Sequence, residues 1–409
     1  MGLSSEHYGK IYADIDLHDR AFQIDPYPTY EQMRLRPVCK VSPGNMWAVS
    51  RYADVKALLS NPKTFSSRAL GMPYESEWLS EECRNPRLIG TQDPPEHGQY
   101  RGVINRAFIN SAIEYLIPLM RSTAENLALK FEGSDAPNFV EEFSYPYIAK
   151  IITQIVGIGD KQDLAELREW VALEGTISMS RPSDEYIKAF EKATLRQNEY
   201  FLKAAQERRD APQDDLVTHI INARVKGNKL NDKEICSMLS LLVAAGFVTT
   251  IQMLNHGIML FSQRPDLVAE LKKSPELIPA FVEELLRFRP TVISTVRVAT
   301  KSVELGGATI AKGDMILALL SSAGRDPEKF KDPNTFNLHR TGNKQHMSFG
   351  HGIHTCVGAP LARLELRIAF EVLLKKYSSF DCPADEDLDW IDSIFLRGVN
   401  DLPVHCSIS

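Results

Sequence analysis

The sequence predicts a mainly α-helical protein with a small β portion, and three observations carry that reading. Between Glu96 and about Arg224 one helix-like segment follows another, punctuated by Gly157, Gly159 and Pro182. From Ile235 to Gln263 there is no Asp, Glu, Lys or Arg, a run far too long for a strand. After Pro290 the texture changes to short, β-branched segments separated by turn residues.

In chain order, the first part mixes a helix over residues 29–36, a strand over 46–49 and a helix over 53–60 with Asp54 in its first turn. Residues 66–92 contain Gly71, Pro73, Pro86 and Gly90 and read as a long irregular loop. Loops of that length are usually functional or disordered. Pro94-Pro95 ahead of Glu96 signals a helix start. The long uncharged helix spans 233–263. Its apolarity alone would suggest a membrane span. Against that, it carries Ser237, Ser240, Thr249, Thr250, Gln252, Asn255 and His256 and has no partner span. A helix buried through the core of a large domain is the better reading. Helices over 265–273 and 275–288 follow. Strands are expected over 292–298, 302–305, 308–310 and 315–320, with Gly306-Gly307 as a tight turn. Residues 357–377 are helical, and 390–395 and 402–407 return to strand. No repeat, low-complexity tract or flexible linker marks a domain cut.

Composition narrows the class. A chain of 409 residues, 44% hydrophobic and 24% charged, has enough apolar mass for a large globular core. A net charge of −6 gives no general reason to bind nucleic acid. Cys39, Cys83, Cys236, Cys356, Cys382 and Cys406 are scattered without a C-x-x-C pair, so they read as reduced thiols. The N-terminal segment has acids and no apolar run, which is neither a signal peptide nor an anchor. A cytoplasmic protein that engages neither membrane nor nucleic acid is expected.

The chemistry concentrates in Phe349-Gly350-His351-Gly352-Ile353-His354-Thr355-Cys356-Val357-Gly358, directly ahead of a helix. A cysteine at a helix start among backbone N–H groups is biased toward thiolate and suits a metal. The glycines would let the backbone lie against a large flat group. On spacing alone three alternatives stay open. His351, His354 and Cys356 could hold zinc, although no adjacent residue offers a fourth ligand. Cys356 could be a nucleophile with a histidine base. It could equally be an inert buried thiol.

That decapeptide matches F-G-x-G-x-H-x-C-x-G at each fixed position, and the chain resembles the cytochrome P450 family, in particular its soluble bacterial members. The resemblance runs from about Asp25 to Pro403. It implies a single cytochrome P450 domain over residues 1–409, with 1–24 as an N-terminal extension and 25–405 as core. In that fold an α-rich and a β-rich part surround one buried haem b. Cys356 would be the iron ligand, with Phe349, Gly350, His354 and Gly358 in the cofactor-binding loop. Haem-thiolate ligation favours O–O cleavage.

Further motifs occur in the family's order. Glu283-Glu284-Leu285-Leu286-Arg287 contains the E-x-x-R pair. Its bland reading is an exposed helix ion pair. The resemblance instead joins Glu284 and Arg287 to Arg340, from Phe336-Asn337-Leu338-His339-Arg340, as a support for the cysteine loop. His97 and Arg101 lie four apart on one helix face, which could be merely solvated. The resemblance assigns them, with Arg297 and His354, to the haem propionates. Buried carboxylates of that kind need paired donors.

The long helix reads Ala244-Ala245-Gly246-Phe247-Val248-Thr249-Thr250, where the family has A-G-x-[D/E]-T. Ala245 and Gly246 would leave room for dioxygen and substrate. Thr249 would donate to the oxygen being activated, against the bland alternative of bonding back to a helix carbonyl. Val248 replaces the usual acid and can neither donate nor relay a proton. Water or a substrate hydroxyl could supply the relay, the reaction could differ from plain hydroxylation, or the valine could be a variant of an acidic parent.

The resemblance implies a monooxygenase that hydroxylates or epoxidises a hydrophobic small molecule, with a secondary-metabolite scaffold expected. The expected protein is a monomer that uses dioxygen and takes electrons from a ferredoxin and an NAD(P)H-dependent ferredoxin reductase, because no flavin or iron–sulfur module is visible. Arg106, Arg363 and Arg367 could dock an acidic ferredoxin or be ordinary charges. Expected pocket residues are Leu88, Met179, Val292, Ile293 and Phe395, with Leu70, Met72, Ile89 and Leu396 nearby. Other readings are an atypical haem-thiolate oxidase, a peroxide-driven enzyme and a non-catalytic haem protein. Known peroxide-driven members place an arginine in the region where this chain keeps Thr249.

Overall fold

Helices dominate a computed structural model that describes residues 15–85, 88–105, 108, 113–131, 137–157, 164–175 and 181–408. The larger helices are α1 (Tyr27–Leu35), α2 (Tyr52–Leu59), α3 (Glu96–Asn105), α4 (Ile117–Phe131), α5 (Tyr145–Val156), α6 (Leu164–Gly175), α7 (Asp184–Asp210), α8 (Leu216–Asn222), α9 (Asp232–Gln263), α10 (Pro265–Lys273), α11 (Ile278–Phe288) and α12 (Ala359–Lys376). Strands β1 (Val38–Val41), β2 (Met46–Val49), β3 (Phe65–Ser66), β4 (Arg224–Val225), β5 (Asn228–Lys229), β6 (Ser294–Ala299), β7 (Val303–Leu305), β8 (Ala308–Ile310), β9 (Met315–Leu319), β10 (Tyr377–Asp381) and β11 (His405–Ile408) complete the chain.

Two compact units divide these elements. The first comprises Met1–Ala69, Asn255–Cys356 and Ser378–Ile408; the second comprises Leu70–Leu254 and Val357–Tyr377. The first unit holds a five-stranded sheet in the order β1-β2-β9-β6-β3. Strand β2 runs parallel to β9, and the other pairings are antiparallel. Val38, Val49, Val55, Leu58, Ile316 and Ala318 pack into one buried cluster on this sheet. The β7–β8 hairpin turns at Gly306 and Gly307, whose φ values of +55° and +82° suit a two-residue turn that only glycine adopts without strain.

The second unit is helical. Phe139 stacks on Phe143 at 5.0 Å, and Phe143 stacks on Tyr147 at 5.8 Å. Arg208 at the end of α7 reaches Asp215, the cap of α8, at 2.8 Å. Helix α9 is long and apolar enough to cross a membrane by length and composition. Leu239, Val243, Phe247, Leu254 and Ile258 along it are completely buried in the protein. A helix enclosed on several sides has little reason for a narrow apolar stripe.

Several details differ from the sequence expectation, and the two-residue strands β3, β4 and β5 are among them. Strand β1 was not expected; it pairs with β2 across the turn containing Gly44 and Asn45, both at positive φ. Strand β10 was not expected either; only its first residue, Tyr377, falls in the helix expected over 357–377. Residues 66–92 are not wholly irregular, because a 3-10 helix spans Ser67–Glu75 and a short α-helix spans Leu88–Thr91. Residues 390–395 are not a strand and make only the bridge Trp390–Val399, with Leu396 bridging Val292 next to them. Ser393 Oγ accepts from the Phe395 and Leu396 N–H groups at 3.2 Å each and turns the chain there.

Candidate functional site

In the first unit, helix α11 carries Glu284 and Arg287 one turn apart, both with fully enclosed side chains. Arg287 Nη2 and Nε donate to Glu284 Oε1 and Oε2 at 2.7 and 2.9 Å. Arg340 Nε donates to the same Oε1 at 2.9 Å, and the Asn337 N–H adds a fourth bond at 3.1 Å. The remaining guanidinium N–H groups close on main-chain oxygens. Arg287 reaches Gly324 and Pro333 at 2.8 and 2.9 Å, and Arg340 reaches Thr335 and Asp332 at 2.8 and 3.0 Å. Gly324 is required here, since a Cβ would lie 2.8 Å from the Arg287 carbonyl oxygen.

The same helix fixes the approach to the cysteine loop. Ser348 Oγ donates to the Leu286 carbonyl at 2.6 Å. His346 accepts the Ser348 N–H at Nδ1 (3.2 Å), so its Nε2 carries the proton that faces Glu283 Oε2 at 3.3 Å. The loop then turns at Gly350 and Gly352, with φ of +71° and +75°. A Cβ at Gly352 would lie 2.4 Å from the Leu59 carbonyl oxygen, so this glycine is needed for close approach as well as for φ. The Cys356 N–H donates to the Phe349 carbonyl at 2.8 Å and closes the loop.

Cys356 is exposed, whereas Cys39, Cys83 and Cys236 are buried and Cys382 and Cys406 half-buried. Burial pushes the thiols of Cys236, Cys382 and Cys406 up to about 12 and that of Cys39 to about 11. Those are inert positions. Burial and nearby Lys56 push the His351 pKa down. Among the described residues no group of three His, Cys, Asp or Glu side chains is placed to hold a metal, so the zinc alternative has no ligand set. Arg297 on β6 is buried, and its Nη1 donates to the Val296 carbonyl at 2.7 Å. An accessible soft sulfur in a glycine-relieved loop, with Arg297 and His354 in the same unit, is a donor set that fits an iron porphyrin with acidic side chains.

The second unit carries the other expected residues. His97 is buried on α3, and burial with the Arg101 charge lowers its pKa. Arg101 Nε donates to Asn105 Oδ1 at 2.7 Å. On α9, Ala245 is exposed and Val248 and Thr249 are half-buried. Thr249 Oγ1 donates to the Ala245 carbonyl at 2.9 Å, which leaves its lone pairs as acceptors. A Cβ at Gly246 would lie 2.6 Å from the Ile152 Cδ1, so even a methyl there displaces a neighbour. Gly358 caps α12.

Of the pocket residues in the first unit, Val292, Ile293, Phe395 and Leu396 come together: Val292 bridges Leu396, and the Ile293 N–H donates to the Phe395 carbonyl at 2.9 Å. Ile89 is buried and Met72 exposed. Met179, the Leu88 side chain and Arg106 lie outside what is described. Arg367 lies 3.5 Å from Glu371, which Arg121 holds more closely at 2.6 Å, so the two guanidiniums share one carboxylate.

Glu365 on α12 was not singled out from the sequence. It is completely buried, and burial raises its pKa well above the usual carboxyl value, while a hydrogen bond from Thr250 acts weakly the other way. The signal was present: Leu361, Ile368, Ala369 and Val372 sit three, four and seven residues away and put Glu365 on an apolar helix face. Thr250 directly follows Thr249, so a neutral carboxylic acid lies one hydrogen bond from the residue beside it.

Residues 32–398 match the family described as Cytochrome P450. The polyketide biosynthesis cytochrome P450 PksS of Bacillus subtilis is 34% identical, over 88% of this chain and 89% of that protein. The 6-deoxyerythronolide B hydroxylase of Saccharopolyspora erythraea is 30% identical, over 95% of this chain and 98% of that protein. The solved structure of cytochrome P450 CYP109Q5 from Chondromyces apiculatus matches with a TM-score of 0.88 at 30% identity, covering 97% of this chain and 99% of that one.

Proposed function

Because the chain belongs to the cytochrome P450 family, and is a monooxygenase of that family with a haem-iron cofactor, we propose that it oxidises a hydrophobic secondary-metabolite scaffold, with haem b ligated by Cys356. The relatives include a polyketide biosynthesis cytochrome P450 and a macrolide-precursor hydroxylase, and they favour that substrate class. Family members depend on redox partners and act on small molecules. The finer expectation is a ferredoxin with its NAD(P)H-dependent reductase, in the cytoplasm.

The observation that carries the reading is the exposure of Cys356 in a loop tied to α11, while Cys39, Cys83 and Cys236 are buried. When bound, the haem supplies dioxygen activation and C–H or C=C oxidation. The protein's part is position and proton supply. Ala245, exposed on α9, keeps that helix surface low, while Gly246 makes room for Ile152. Thr249, with its proton given to Ala245, accepts from water and releases its own proton by rotating about χ1. Val248 carries no proton, and Glu365 behind Thr250 holds one. His97, Arg101, Arg297 and His354 would meet the propionates. Val292, Ile293, Phe395 and Leu396 would form an apolar wall.

The test is a reduced, carbon-monoxide-bound spectrum of the purified protein and of Cys356→His, followed by product assay with a surrogate ferredoxin. The thiolate-type Soret band is expected for the protein and not for the variant, with product formed only by the former. The same band in both would reject Cys356 as the ligand, and a normal band without turnover on any hydrophobic substrate would reject the monooxygenase assignment to this substrate class.

A further inference from the structure

The guanidinium of Arg397 is buried in the first unit with no carboxylate in contact among the described residues. It is 3% exposed and lies over the Trp390 ring at 4.1 Å. One N–H, on Nη2, goes to the neutral Ile24 carbonyl. Nε and Nη1 have no hydrogen-bond partner among the described residues. Two buried hydroxyls lie near it. Thr291, whose carbonyl accepts the Arg397 N–H at 2.7 Å, has an Oγ1 with no hydrogen-bond partner among the described residues, and the Tyr30 Oη, which feels the Arg397 charge, has only a loose contact with the Ser321 hydroxyl.

The surroundings add positive charge. Arg289 also lies over the Trp390 ring, at 5.7 Å, and takes the carboxylate of Asp385 at 2.6 Å. Asp385 and Asp25 act on Arg397 only at longer range, and Asp25 is exposed. His256 brings no compensation. Its Nδ1–H goes to the Arg289 carbonyl at 2.9 Å, and burial with both guanidiniums pushes its pKa well down, so it stays neutral. Burial likewise depresses Arg397, to about 10, still far above neutral pH. Water would satisfy the idle N–H and O–H groups but would leave the charge. A buried cation is tolerable only when paired.

We propose that Arg397, Thr291 and Tyr30 bind a small monovalent inorganic anion of chloride size. Thr291 and Arg397 flank Val292 and Leu396, the bridged pair of the expected pocket wall. The ion would therefore clamp the two segments that carry that wall from behind. This inference stands apart from the redox assignment, since its readouts require no turnover.

The experiment uses the holoenzyme. Crystals soaked in sodium bromide are measured at the bromine edge, and thermal unfolding is followed as sodium chloride replaces sodium gluconate at constant ionic strength. The expected results are an anomalous peak beside Arg397 and a saturable rise in Tm of about 2 °C at tenfold excess over Kd. The conservative variants Thr291→Val and Tyr30→Phe should fold and weaken the saturation severalfold. No peak, a peak without saturable stabilisation, or unchanged saturation in both variants would each overturn the proposal.

Discussion

Glu284 and Glu365 are both completely enclosed, and the two units treat them in opposite ways. Glu284 receives two guanidiniums and a backbone amide, each at 3.1 Å or less. Glu365 receives one hydroxyl, from Thr250, and its Oε1 has no hydrogen-bond partner among the described residues. A carboxylate gripped by two guanidiniums and a backbone amide is fixed in place and fixes them in turn, so Glu284 is an anchor. A carboxyl kept neutral by desolvation retains a proton it can give up, so Glu365 is a store. Burial alone does not say which role a carboxyl has; the count of donors does.

The sharpest way to break the comparison is to remove the anchor. Glu284→Ala leaves Arg287 and part of Arg340 buried without a counter-charge, which costs about 3–5 kcal/mol. Urea unfolding of the holoenzyme should show that loss together with poor haem retention, because Arg340 and Ser348 position the loop that leads to Cys356. A loss below about 1 kcal/mol would mean the network is a bystander.

The store is tested by pH. A raised folded-state pKa means that the contribution of Glu365 to stability is fully present below the unfolded value of about 4.5 and is lost as pH rises toward the folded value. Glu365→Gln lacks this titration. Its stability relative to the parent should therefore climb as pH rises from 5.5 to 7.5. A constant difference in urea unfolding over that range would show that Glu365 is ionised in the folded protein.

The anchor and the store also differ in how far the sequence reveals them. Helices α9, α10 and α11, strand β2 and the β7–β8 turn were legible because apolar period, Pro and Gly-Gly mark them locally. Glu284, Arg287 and Arg340 were legible only through family order, since E-x-x-R by itself describes any solvated helix face. Their convergence depends on Gly324 admitting the Arg287 backbone, a long-range contact with no local sign. The proton on His346 Nε2 facing Glu283 is of the same kind. Glu365 has a local sign, an acid on an apolar helix face, but its contact with Thr250 is long-range and has none. Strands β1 and β10 were missed because four or five residues give too little alternation to outweigh their flanks.

Val248 offers the smallest but most direct refinement. It sits half-buried on α9, one residue before Thr249, so a carboxyl placed there would remain in touch with solvent and ionise normally. That is a third kind of acid, able to reload directly from water, unlike the fully enclosed Glu365. If Glu365 alone serves Thr249 through Thr250, proton delivery is limited by reloading, and reducing equivalents escape as hydrogen peroxide. Val248→Asp and Val248→Glu should then raise product formed per NAD(P)H consumed by about threefold, equivalent to roughly 0.6 kcal/mol in the competition between the two outcomes. Val248→Leu serves as the size control and should leave the ratio unchanged. Equal coupling in all four proteins would mean that the buried store already keeps pace, and that an acid on α9 adds nothing to it.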